Sequence, residues 1–291
     1  MKYGIYAPYW THEWATENEH YIPKVKKLGF DVLEISCVNL IQKYTTKQAL
    51  LDLKKCAADN GIILTAGYGP TKEQNICSPD PAAVARAMAF FQDLLPKLAI
   101  LDIKVLGGGL YTYWPLDPSL PVDKEGDLER SIANMRILAK TAEDCDVTLG
   151  MEVLNRYEGY MLNTCDEALA YVDAVGSDHV KVMLDTFHMS IEEDNMGDAI
   201  RKAGDKLGHL HLGEQNRRVP GKGWLPWVEI GQALRDINYQ GVAVMEPFVL
   251  SGGTIGSEIK VWRDLVPNAT EEMLDRDAEG AVRFVRHVFG L

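Results

Sequence analysis

Short apolar runs alternate with amphipathic stretches along the chain, and the alternation can be counted. Residues 3–7 read as a strand, and the helical spacing of Tyr21, Val25 and Leu28 stops at Gly29. Residues 32–37 form a second strand pattern, followed by a helix built on Ala49, Leu50, Leu53 and Cys56 that ends near Asn60-Gly61. A third strand is expected at 62–66, after which Asp80-Pro81 offers an N-cap and a first-turn proline. Residues 105–111 are a glycine-rich fourth strand, with a helix from about 126 to 144.

A fifth strand spans 147–154. The sixth opens the run Val-Lys-Val-Met-Leu-Asp-Thr-Phe-His-Met at 180–189, where Asp185 and His188 fall as the strand gives way to a loop. Thr164 to Glu167 and Ser190 to Glu193 both fit the Ser/Thr-x-x-Glu capping box, so helices are expected to start there. Residues 207–212 and 242–245 supply the seventh and eighth strands, with helices over 227–238 and 271–288. Eight strand-helix pairs in sequence predict an α/β fold, a single (β/α)8 TIM barrel, with residues 1–291 as one catalytic domain. Polar residues at the C-terminal ends of the strands then gain weight as site candidates.

Four strands end in groups able to bind a metal: Glu152, Asp185, His211 and Glu246, on strands five to eight. A carboxylate or imidazole at the end of an apolar strand is costly to bury unless something pairs or coordinates it. Any one of the four alone is as well read as a solvated strand end or an ion-pair partner. On consecutive strands, they converge on one point at a barrel mouth. Three carboxylates and one imidazole suit Mn²⁺, Mg²⁺ or Co²⁺ better than a thiolate-rich zinc site.

The neighbouring groups carry two readings each. His209, one layer below His211, reads as a core histidine, and His188 as a loop residue able to aim a ring nitrogen at a ligand oxygen. Glu158 and Arg217 lie in the loops after strands five and seven, either as solvated charges or as a clamp on a polyol. Tyr6, Trp114 and Phe248 follow strands one, four and eight, where they wall a pocket or join the core. The glycines at 67, 69 and 107–109 lack the helix start of a phosphate loop and are read as letting a ligand approach the backbone.

Composition narrows the choice. The chain has 291 residues, 46% hydrophobic, and a formal net charge of -12, so no basic face is available for nucleic acid. Five scattered cysteines without Cys-x-x-Cys spacing read as reduced thiols. With no signal-like or membrane-length apolar run, the expectation is a cytoplasmic protein with no membrane partner. Neither a Gly-x-Ser-x-Gly elbow nor a Walker motif occurs.

A divalent ion chelated by two oxygens of a hydroxyketone polarises the carbonyl and acidifies the adjacent C–H. With Glu152 and Glu246 on opposite sides of the substrate, one removes the proton and the other returns it, giving epimerisation. Return to the neighbouring carbon gives aldose-ketose isomerisation instead, and residue type alone leaves both open, along with a hydroxypyruvate isomerase. A barrel endonuclease needs more histidines and a basic face. A non-catalytic sugar-binding barrel leaves the second glutamate without a role.

The runs Glu152-Val-Leu-Asn-Arg156, Val182-Met-Leu-Asp-Thr-Phe-His-Met189, Asn216-Arg-Arg-Val-Pro-Gly-Lys-Gly223, Val244-Met-Glu-Pro-Phe248 and Gly252-Gly-Thr-Ile-Gly256 resemble the ketose 3-epimerase family of D-psicose (D-allulose) and D-tagatose 3-epimerases. Lys2-Tyr-Gly-Ile-Tyr6 and Tyr113-Trp-Pro115 extend the likeness over nearly the whole chain. The resemblance implies an isomerase of carbohydrate metabolism acting on ketohexoses at C3, with metal ligands at Glu152, Asp185, His211 and Glu246. The two glutamates double as the acid/base pair. It further implies that Glu158, His188 and Arg217 hold the O1 and O2 end of an open-chain ketose, with Tyr6, Trp114 and Phe248 around it. Mn²⁺ or Co²⁺ as cofactor and a homodimer or homotetramer follow from the same likeness.

Overall fold

The computed structural model describes residues 1–290, and in it every expected strand forms. The strands are β1 (Lys2–Tyr6), β2 (Val32–Ser36), β3 (Ile63–Gly67), β4 (Val105–Gly108), β5 (Thr148–Glu152), β6 (Val180–Asp185), β7 (Leu207–Leu212) and β8 (Val242–Met245). Each pairs in parallel with the next, and β8 returns to β1 with Gly4 opposite Val244, so the sheet closes into a barrel. Parallel strands covered by helices must be apolar on both faces, and β2 is buried at all five positions. No helix among the described residues is long and apolar enough to cross a membrane.

Local chemistry sets most helix starts as expected. Asp80 caps the helix Pro81–Ile100 by accepting from the Ala82 amide at 2.9 Å. Thr164 caps Cys165–Val175 through the Glu167 amide, while the Glu167 carboxylate bonds the amide of Asn163 rather than that of the cap. The capping box at Ser190 is overturned. The helix there is Thr186–Glu192, capped five residues earlier by Asp185, whose Oδ1 accepts from the amides of Phe187 (2.5 Å) and His188 (3.3 Å). Ser190 lies inside it and donates its hydroxyl to the Phe187 carbonyl, and the next helix, Met196–Ala203, is capped by Asn195. His188 therefore sits in a helical first turn, not in a loop.

β4 stops at Gly108, short of the expected 111, because the chain turns there with φ +129°. A Cβ at Gly108 would lie 2.1 Å from the Tyr68 carbonyl oxygen, and one at Gly107 would lie 2.4 Å from Met183 Sδ. The protein packs closely on both glycines, and both also line the cavity at the mouth of the barrel. Short helices over Cys37–Gln42 and Gly253–Glu258 follow β2 and β8 without a periodic signal in the sequence.

Candidate active site

β5, β6 and β7 carry Glu152, Asp185 and His211 to the C-terminal rim of the barrel, and Glu246 follows the last residue of β8. Each offers one ligand atom, and the four atoms lie within 4.8 Å of one another. His211 Nδ1 is 3.3 Å from Glu246 Oε1, 3.8 Å from Asp185 Oδ2 and 3.9 Å from Glu152 Oε1. Asp185 Oδ2 and His211 Nδ1 are buried without a hydrogen-bond partner. A buried acceptor left unpaired is costly, and two of them facing the same point mark a place shaped for a cation. The spacing and the mostly oxygen donor set fit a divalent ion.

Electrostatics agree. Burial, then the charge of Glu246, push the Glu152 carboxyl well above its usual range. Burial works against a charged ring at His211, but Glu246 and Glu34 outweigh it and raise that imidazole well above its usual value. Burial dominates at Glu152 and carboxylate charge at His211, but the charge of Glu246 raises both, and a divalent cation would offset it.

The expected substrate-binding residues gather around this cluster. His188 Nδ1 accepts from the Asn155 amide at 3.1 Å, so the ring turns a protonated Nε2 toward Glu152 Oε1 at 3.8 Å. Burial lowers the pKa of His188, which keeps it a neutral donor. Arg217 Nη2 donates to Glu158 Oε1 at 2.7 Å, and Nη1 stands 3.6 Å from Glu246 Oε2. Its guanidinium stacks 3.7 Å above the Phe187 ring. Burial would raise Glu158, but Arg217 outweighs it and the carboxyl lies below its usual range. Neither charge of this pair is a solvated surface group.

Tyr6, Trp114 and Phe248 wall a cavity of about 520 Å³ whose lining also includes Glu152, Glu158, His188, His211, Arg217 and Glu246. Tyr6 packs on His211 and Phe248 with ring centroids 6.3 and 6.4 Å away. Asp185 is fully buried and stays behind the lining. Trp14 joins the wall unforeseen, edge-on to both Trp114 and Phe248.

Sequence reading also missed Asn155, Phe187 and Glu34. Glu34 is wholly buried on β2, where Oε1 accepts from His211 Nε2 at 2.6 Å and Oε2 from His209 Nε2 at 2.8 Å and Thr65 Oγ1 at 2.7 Å. Burial opposes the charge of Glu34, yet His211 and then His209 hold it well below the carboxylate range. The available signal was a glutamate inside the apolar run Val32-Leu-Glu-Ile-Ser36.

Residues 22–266 match the family described as "Xylose isomerase-like TIM barrel". A D-psicose 3-epimerase of Enterocloster bolteae is 69% identical over 100% of this chain and 97% of its own. One from Agrobacterium fabrum is 54% identical over the full length of both. A crystal structure of a D-psicose 3-epimerase in the presence of D-fructose superposes with a TM-score of 0.98 at 54% identity, covering both chains completely. The chain belongs to the ketose 3-epimerase family, sugar isomerases built on the xylose isomerase-like TIM barrel.

Proposed function

We propose that the chain interconverts free ketohexoses at C3, with D-psicose and D-fructose as one pair and D-tagatose and D-sorbose as another. One divalent ion, Mn²⁺ first and Co²⁺ or Mg²⁺ as alternatives, would be held by Glu152, Asp185, His211 and Glu246. The observation that carries the reading is that two glutamates share one buried cation-shaped cluster and one cavity.

The bound ion would act as a Lewis acid toward the ketose carbonyl, acidifying the C–H at C3. One glutamate of the Glu152/Glu246 pair takes the C3 proton. The C–H electron pair moves into the carbonyl to give an enediolate, and the other glutamate returns a proton to the opposite face. Carboxylates are suited to this shuttle because each can take or return a proton at the face it lines. His188 Nε2–H and the Arg217 guanidinium supply donors for the O1 and O2 end, and Glu158 an acceptor that keeps Arg217 in place. Tyr6, Trp114 and Phe248 exclude water around the chain of the sugar.

Residues 1–291 work as one catalytic domain in this reading. Five free cysteines support a reducing, cytoplasmic setting, and the chain would work there as a homodimer or homotetramer. The test is product analysis with D-psicose, D-fructose, D-tagatose and D-sorbose after chelation and metal add-back. C3 epimers that appear only with the ion restored are expected. Aldoses among the products would replace epimerisation with aldose-ketose isomerisation, and full activity after chelation would remove the ion.

A further inference from the structure

We infer that Glu34, reaching across the barrel from β2, is a positioning residue that fixes the His211 ring so that only its Nδ1 faces the cation cluster. The inference rests on the reading that Glu152, Asp185, His211 and Glu246 hold a divalent ion. β2 and β7 are not neighbours in the barrel, so the contact spans its interior.

A carboxylate offers only acceptors, so each imidazole nitrogen in hydrogen-bond contact with it must carry the proton. The 2.6 Å contact from His211 Nε2 to Glu34 Oε1 therefore assigns N–H to Nε2. In the neutral ring that a cation requires, the lone pair is then on Nδ1, the atom 3.3 to 3.9 Å from the three carboxylates. The other Glu34 oxygen is held by Thr65 Oγ1 and His209 Nε2, so the carboxylate cannot rotate without breaking buried hydrogen bonds. Glu34, His209 and Thr65 together aim one ligand of the cluster.

Glu34, His209 and His211 also lie close enough to suggest a second ion. The separations argue against it. Oxygen and nitrogen 2.6 and 2.8 Å apart are joined by a hydrogen. An ion bonded at about 2.0–2.1 Å to each ligand would spread them wider. A proton, not a metal, joins Glu34 to each imidazole.

Outer partners of this kind set ligand orientation and basicity, and their loss typically weakens metal binding by about 10- to 100-fold. The test strips the full chain of metal and titrates Mn²⁺ into wild type and Glu34→Gln, reading free Mn²⁺ by electron paramagnetic resonance. Thermal midpoints of both metal-free proteins are measured alongside. Wild type should bind one ion per chain and Glu34→Gln about 10- to 100-fold more weakly. A merely structural Glu34 would lower the midpoint and leave the affinity of the folded chain equal to wild type, which overturns the inference and leaves the cation reading standing. A wild type that takes up no Mn²⁺ overturns the cation reading, and this inference with it. Should Glu34→Gln fail to fold, the ¹⁵N-histidine spectrum of the Mg²⁺-loaded wild type decides. His211 protonated at Nε2 and bare at Nδ1 supports the assignment, and the opposite tautomer refutes it.

Discussion

His211 Nδ1 lies 3.3 Å from Glu246 Oε1, and no proton donor of the protein satisfies that nitrogen. In the absence of a cation this ring and Glu152 both hold protons more tightly than usual. The proton and the ion therefore compete for one place.

That competition fixes the sign of a pH effect. A group whose folded pKa is raised adds stability below its unfolded value, and the gain is lost as pH climbs through the folded one. For Glu152 and His211 the unfolded values are 4.5 and 6.5, so their contribution to the metal-free protein falls from mildly acid pH upward. Glu34 has the opposite sign, losing its contribution only as pH falls below 4.5. The rise in thermal midpoint on adding Mn²⁺ should therefore grow from pH about 5.5 to about 8. A shift independent of pH would mean that no proton is displaced.

Removing either glutamate's basicity while keeping its shape tests the proton pair. Glu152→Gln and Glu246→Gln should each lower kcat by about 10³-fold or more with saturating Mn²⁺, at an unchanged fold. A variant that retains near-normal kcat would strike that residue from the acid/base role.

Arg217 is held at φ +61° with its guanidinium between Glu158 and the Phe187 ring. Arg217→Ala would strand a buried Glu158 charge, at a cost of about 3 kcal/mol in denaturant unfolding. Arg217→Lys keeps the charge and loses the planar stack, so KM should rise more than stability falls. Equal stability of all three proteins would show that the ion pair is not sustained in solution.

Gly108→Ala addresses the barrel frame. The positive φ and the 2.1 Å approach to the Tyr68 carbonyl leave no room for a Cβ, and a loss of about 3 kcal/mol is expected. An unchanged urea midpoint would mean that the turn after β4 relaxes freely.

The barrel was legible because parallel strands bury both faces and write themselves as short apolar runs, with 207–212 and 242–245 read to the residue. Asp185 and His211 stood out as charges closing such runs. Glu34 obeys the same logic, but it lies in the middle of β2, and its partners are 31, 175 and 177 residues away in sequence. Long-range pairing of that kind leaves no local pattern. The helix start was misplaced because Asp185 serves two roles: one oxygen caps the helix, while the other faces the cluster. Ser190 offered a matching motif in a helix already begun. Trp14 and Phe187 were missed because nothing in an isolated aromatic residue tells pocket wall from core.

The most direct measurement follows deuterium from solvent into D-psicose and D-fructose during turnover by the Mn²⁺-loaded chain. The account predicts label at C3 in both epimers and at no other carbon, with exchange suppressed in Glu152→Gln and Glu246→Gln. Label at C1, or interconversion without any label from solvent at C3, would contradict it.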